Sequence, residues 1–223
     1  MIAAERDLLA PDELRRLERL RFGRGRRMFI ATRALVRTVL SSYADVSPTD
    51  WRFESDDHGK PNLVQSAAKP TISFNLTNTR GLVVCAVSTV HPLVGVDAER
   101  LDRRVETVRL GDRFFSPSEA RDLRQHQPYE QQERFFQYWT LKESYIKARG
   151  LGLALPLDKF SFRLDERPIR IGIDEALDDD ETCWRFALLY LAPTYLIAVG
   201  VNTGGTDLSL RASPLVPLRG VGP

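Results

Sequence analysis

Residues 134 to 152, Arg-Phe-Phe-Gln-Tyr-Trp-Thr-Leu-Lys-Glu-Ser-Tyr-Ile-Lys-Ala-Arg-Gly-Leu-Gly, fit one local structure better than any other. Phe135, Trp139, Lys142 and Ile146 recur at helical spacing, Phe136, Thr140, Glu143 and Lys147 recur on the neighbouring stripe, and Gly150 supplies a C-terminal stop. The spacing therefore predicts a helix that turns aromatic residues towards a core and sets Glu143 and Lys147 one turn apart. By itself such a pair stabilises an exposed helix by only about 0.2–0.5 kcal/mol. Whether it does more depends on what the other segments bring to it.

A chain of 223 residues can bury a core as one large domain or two small ones, and a net charge of +2 selects no partner. Charge distribution says more. Arg15, Arg16, Arg19, Arg21, Arg24, Arg26, Arg27, Arg33 and Arg37 crowd the first forty residues with few acidic neighbours, so an anion-binding surface and a solvated basic face both remain open. Cys85 and Cys183 lie in apolar runs and read as buried free thiols of a protein in a reducing compartment. The early charges of Glu5, Arg6 and Asp7, with no run of 18 apolar residues, predict neither a secretory signal nor a membrane span, and hence a cytoplasmic protein.

In chain order, helices are expected over residues 11 to 22, opened by Pro11, Asp12 and Glu13, and over 25 to 41. Trp51 to Glu54 alternates as a strand, and Gly59-Lys60-Pro61 follows as a turn that brackets a lysine. Thr71 to Arg80 reads as a strand running into a polar loop at Thr77-Asn78-Thr79. Leu82 to Ser88 and Leu93 to Glu99 read as a hairpin turning at Val90-His91-Pro92, with Asp97 and Glu99 on one face of the returning strand. Adjacent carboxylates repel unless a cation or hydrogen bonds stabilise them, and hard oxygen ligands suit magnesium or manganese. A solvated strand end with Arg100, Arg103 and Arg104 as counter-charges is the plainer alternative. Ser116, Pro117 and Glu119 form a helix-capping signal, and Phe114 with Phe115 reads as a core anchor. Strands are expected at 160 to 164, 169 to 173, 184 to 191 and 195 to 201, with the acidic run Asp178 to Glu181 as a solvated turn and a mobile tail from 203 to 223. Helices followed by antiparallel strands, twice over, predict an α+β fold.

Four segments in order, Gly59-Lys60-Pro61, Phe74-Asn-Leu-Thr-Asn-Thr79, Gly95-Val-Asp97-Ala-Glu99 and Trp139-Thr-Leu-Lys142-Glu143-Ser-Tyr-Ile-Lys147, resemble the signature blocks of the 4′-phosphopantetheinyl transferases of the surfactin-synthetase type. The resemblance spans roughly residues 10 to 200. It implies a pseudo-twofold monomer, with residues 1 to 110 as the coenzyme A-binding half, 111 to 202 as the half carrying Glu143 and Lys147, and the active site between them. It implies transfer of phosphopantetheine from coenzyme A to a serine of an apo acyl or peptidyl carrier protein. The implied magnesium ligands are Asp97, Glu99 and Glu143, and the implied catalytic residues are Glu143, Lys147 and Asp97. Arg16, Arg27, Lys60, Thr77, Asn78, Lys142 and Lys147 would bind the coenzyme A co-substrate. One departure stands out. The family pattern carries histidine where this chain has Asn78, which exchanges a charged contact for a neutral one. A catalytically silent relative, a magnesium-dependent phosphohydrolase and a nucleic-acid-binding module are the competing readings, the last leaving the four ordered segments unexplained. No nucleic acid and no membrane are expected as partners.

Overall fold

A computed structural model describes residues 5–21, 23–55, 59–64, 72–191 and 194–215. The chain divides into two compact units, one formed by residues 1–90 with 210–223 and the other by residues 91–209. The expected boundary near residue 110 thus falls inside the second unit.

In the first unit, helices α1 (Pro11–Arg19) and α2 (Gly23–Ser41) precede two antiparallel hairpins, β1 (Phe53–Ser55) with β2 (Pro61–Leu63) and β3 (Ser73–Thr79) with β4 (Leu82–Ser88). Pro11 occupies the first helical turn of α1, and the Glu13 carboxylate reaches back to accept from Ala10 N at 2.9 Å. Val36 and Leu40 of α2 pack with Trp51, Leu63, Ile72 and Phe74. Arg37, expected on the basic surface, is instead 1% exposed and donates to Glu13 Oε2 at 2.8 Å and to the carbonyls of Pro48 and Trp51 at 2.9 Å. Two expectations change here. Thr77, Asn78 and Thr79 are not loop residues, because they pair with Val84, Val83 and Leu82 across a turn made by Arg80 and Gly81 alone. β4 pairs with β3 and β5 pairs with β9, so the anticipated hairpin of residues 82–88 with 93–99 is not among the pairings of the described residues.

In the second unit, β5 (Val94–Arg100) is followed by α3 (Thr107–Phe114), α4 (Pro117–Gln125), α5 (Pro128–Arg149), β6 (Phe160–Arg163), β7 (Arg170–Ile173), β8 (Trp184–Leu191) and β9 (Tyr195–Asn202). β5 pairs antiparallel with β9 and β9 with β8, while β6 and β7 form a separate antiparallel pair. The α+β class with small antiparallel sheets is as expected. Helix α5 begins earlier than its aromatic stripe suggested, at Pro128, where the Glu130 carboxylate accepts from Gln127 N at 3.2 Å. It ends at Gly150 in the left-handed conformation, φ 71°. The capping signal at 116–119 is realised in full, with Ser116 Oγ accepting from Glu119 N and the Glu119 carboxylate accepting from Ser116 N. Phe115, Phe135, Tyr138, Leu141 and Tyr145 bury the inner side of α5 with Phe160, Trp184 and Phe186. The start of the expected mobile tail is tied down, since Thr203 N donates to Cys183 O at 2.8 Å and the Thr203 hydroxyl donates to Thr206 O at 2.7 Å. Residues 216–223 of that tail lie outside the described residues.

Strand β5 crosses α5 at very short range, and Gly95 makes this possible. A Cβ on Gly95 would stand 2.0 Å from Ser144 O and 2.5 Å from Ala148 N, both of them backbone atoms of α5. Neither atom can rotate away. Gly95→Ala is therefore expected to push β5 off the helix and lower unfolding stability by about 1–3 kcal/mol or more, measured by urea denaturation.

Candidate functional site

Successive residues of a strand face opposite ways, so Gly95, Asp97 and Glu99 share the face of β5 that Gly95 presses against α5. On the helix, Glu143 and Lys147 are one turn apart and flank Ser144, one of the residues that Gly95 approaches. The close backbone approach therefore brings both acidic side chains of the strand to the charged pair of the helix. The Lys147 ammonium donates to Asp97 Oδ1 at 2.6 Å, with the two side chains 28% and 8% exposed. Lys147 is thus engaged across the strand. The simple surface pair with Glu143 is not what this lysine was placed for.

Arg103, on the turn after β5, covers Glu99, with its NH1 at 3.2 and 3.4 Å from the two carboxylate oxygens. Glu143 is half-buried, and among the described residues no hydrogen bond or ion pair involves its side chain. Burial pushes the Glu143 carboxyl above its usual range, Asp97 and Glu99 add repulsion, and Lys147 pulls it down. Glu99 is also raised, by burial first, against the opposing pull of Arg103 and with a further push from Asp97. Glu143 thus feels both other carboxylates, and Glu99 feels Asp97.

As donors, Asp97, Glu99 and Glu143 are the hard oxygen groups that magnesium or manganese prefers. Their mutual repulsion is of the kind that a divalent cation relieves. Among the described residues, however, no three His, Cys, Asp or Glu side chains are grouped closely enough to hold a metal as they stand. The donor chemistry fits such an ion, while two of the three carboxylates are turned to protein cations.

All four of these residues belong to the second unit, which corrects the expectation that Asp97 and Glu99 come from one half and Glu143 and Lys147 from the other. The strand that carries the acids pairs with β9 of the same unit. Arg16, Arg27, Lys60, Thr77 and Asn78 all lie in the first unit. Arg16 lines a cavity of about 120 Å³ with Arg33, Arg37 and Arg52, and Arg27 is exposed. Thr77 is buried while Asn78 is exposed, so on β3 they face opposite ways.

Lys142, expected to contact coenzyme A, does not reach a surface. It is 0% exposed, pairs with Glu119 Oε2 at 2.7 Å, and donates to Leu157 O at 2.8 Å and to Phe160 O at 2.6 Å. Those three partners match the three protons of an ammonium. Burial lowers its pKa even so, against the pull of Glu119. Its position among Phe135, Trp139 and Ile146 on the core stripe was the signal for this role. The acidic turn also differs from expectation. Asp179 is enclosed and accepts from Tyr145 OH at 2.7 Å, Arg149 NH1 at 2.6 Å and Trp184 Nε1 at 3.0 Å. It fixes the last turns of α5, a role that a run of four acidic letters does not reveal.

The comparisons with known proteins agree on one family. The profile described as the 4′-phosphopantetheinyl transferase superfamily matches residues 93–200, and that of the 4′-phosphopantetheinyl transferase N-terminal region matches residues 2–90. The 4′-phosphopantetheinyl transferase HetI of Nostoc sp. is 38% identical over 146 residues, covering 66% of this chain and 61% of that protein. The 4′-phosphopantetheinyl transferase Sfp of Bacillus subtilis is 36% identical over 132 residues, 59% of this chain and 56% of that protein. A phosphopantetheinyl transferase of Thraustochytrium sp. is 31% identical over 216 residues, 89% of this chain and 72% of that protein. The chain thus spans about three fifths of the length of the two bacterial relatives. Among the described residues no helix is long and apolar enough to cross a membrane.

Two outcomes follow from this geometry. Lys142→Met strands a buried Glu119 carboxylate and is expected to cost about 3–5 kcal/mol of stability. Urea denaturation checks this against the simple rise in a Michaelis constant that a ligand contact would give. The second outcome concerns pH. A carboxyl whose pKa is higher in the folded than in the unfolded state makes the fold lose stability as pH rises between those two values. Glu143→Gln removes that loss, so the variant should be the more stable protein at pH 8 in metal-free buffer. Its advantage should vanish as pH falls below the ordinary carboxylate range, as read from thermal unfolding across pH.

Proposed function

Because the chain belongs to the 4′-phosphopantetheinyl transferase superfamily, we propose that it transfers the 4′-phosphopantetheine group of coenzyme A to a serine hydroxyl of an apo acyl or peptidyl carrier protein, releasing adenosine 3′,5′-bisphosphate. The observation that carries the reading is the constellation on β5 and α5, with Lys147 held on Asp97 at 2.6 Å beside a Glu143 whose pKa is raised by burial and by its acidic neighbours.

The chemistry asks for two things that these residues supply. A serine hydroxyl must lose its proton as it attacks phosphorus, and a carboxylate within reach of that hydroxyl can accept it. Glu143 takes that proton in this reading, directly or through a water. Charge must also be offset on the pyrophosphate oxygens, and the Lys147 ammonium does so from its place between Asp97 and the helix. Magnesium, when bound, offsets charge on the transferring and departing oxygens. Asp97, Glu99 and Glu143 would hold it. Arg16, Arg27, Lys60, Thr77 and Asn78 are proposed to bind the adenosine and 3′-phosphate portion, with Asn78 as a neutral hydrogen-bonding group.

Carrier modification tests the reading. Incubation with coenzyme A and magnesium should add the phosphopantetheine mass to an apo carrier and release adenosine bisphosphate only when that carrier is present. Glu143→Ala should slow transfer about 10²–10⁴-fold, followed by mass spectrometry on a panel of carriers. Full activity of Glu143→Ala would remove Glu143 from the mechanism, and release of the bisphosphate without a carrier would mark a phosphohydrolase instead.

A further inference from the structure

The three carboxylates differ in how they are balanced. Asp97 is held by Lys147, an ammonium on the rigid helix α5 at 2.6 Å. Glu99 is held by Arg103, which approaches through a single nitrogen shared between both oxygens at 3.2 and 3.4 Å. Both distances are longer than a charge-assisted hydrogen bond of good geometry. The Arg103 side chain is 60% exposed while that of Glu99 is 14% exposed, so the arginine covers a largely enclosed carboxylate from the solvent side. The neighbouring cations do not share the task. Arg100 is paired with Asp102, and Arg104 is exposed and makes no ion pair among the described residues.

We propose that Arg103 is an internal competitor for the divalent cation, occupying both oxygens of Glu99 in the metal-free protein and having to leave before Glu99 can coordinate. The proposal rests on the metal reading given above. Physically, a cation reaching Glu99 must displace a guanidinium whose hold on an exposed pair is weak, and must also accept the nearby positive charge. Each effect is small at a solvent-facing position. Together they make apparent metal affinity lower than the carboxylates alone would give, and they keep Glu99 neutralised between turnovers. Arg103 would thereby set the metal concentration at which the site assembles, without touching a reacting atom.

Direct Mn²⁺ titration of the full chain, followed by electron paramagnetic resonance without coenzyme A, separates the possibilities. Arg103→Gln is expected to bind Mn²⁺ roughly three- to tenfold more tightly than the unaltered chain, as loss of a weak exposed pair and of one like charge implies. Arg104→Gln, which removes the same charge one residue away, should change affinity less than twofold. Unchanged thermal unfolding of Arg103→Gln in metal-free buffer would show that the fold is intact. Equal affinities for the two variants, or weaker binding by Arg103→Gln, would overturn the competitor role while leaving the metal site standing. Failure of every variant, and of the unaltered chain, to bind Mn²⁺ would overturn the competitor role and the metal reading together.

Discussion

The buried Lys142–Glu119 pair is the interaction on which the second unit depends. Removing an ammonium and a carboxylate from water is costly, and the attraction between them offsets that cost only when their remaining hydrogen-bonding capacity is also met. Here it is met. Lys142 has Glu119 and the carbonyls of Leu157 and Phe160, and Glu119 accepts in addition from Ser116 N, Ser116 Oγ and Phe162 N. The pair therefore joins the cap of α4, the body of α5, the turn before β6 and β6 itself. It fixes the rotation of α5 about its axis, and the residue whose direction this decides is the next one along, Glu143.

Two further contacts hold the helix on its other sides. Gly95 lets the backbone of β5 lie against Ser144 and Ala148, and Asp179 ties Tyr145, Arg149 and Trp184 at the far end. Between them, Phe135 stacks on Phe115 and Trp139, with ring centroids 5.2 and 5.8 Å apart. Aromatic contacts of this kind contribute beyond the area they bury. A helix restrained by a salt bridge, a close backbone crossing and packed rings can carry repelling carboxylates without turning to relieve them. Burial of Glu143 on that helix and the nearness of Asp97 and Glu99 are what raise its pKa.

Much of this could be read from the residues, and the exceptions have a common cause. The caps at Ser116 and Gly150, the ends of most strands and the stripe of α5 are local matters, decided by a few neighbouring residues. Strand partners are not. Alternation shows that Asp97 and Glu99 share a face, but it is silent on whether β5 pairs with the strand before it or with β9, about a hundred residues later. The expected boundary near residue 110 came with the resemblance, and no local signal in the chain marks the one at residue 90. Lys142 shows a subtler difficulty. Its place on the apolar stripe pointed inward, whereas its place beside Glu143 in a charged cluster suggested function, and adjacency in sequence proved a poorer guide than helical phase. Arg37 and Asp179 were misjudged for the same reason, because a charged residue is buried only where a distant partner meets it, and Glu13 and Tyr145 are not neighbours in the chain.

The charge balance of the site follows from these restraints. Three carboxylates face two cations, and the two are not equivalent. Lys147 stands on a helix whose rotation is fixed from the opposite side, and it closes on an Asp97 that is 8% exposed in its side chain. To withdraw, it would have to give up a short contact with a nearly dry carboxylate, which costs more than breaking an exposed pair. Arg103 stands on a turn, in solvent, and its departure returns a guanidinium to water at little cost. A cation entering this cluster would therefore displace the arginine before the lysine, and Lys147 would remain beside the carboxylates to meet whatever anion the cation brings.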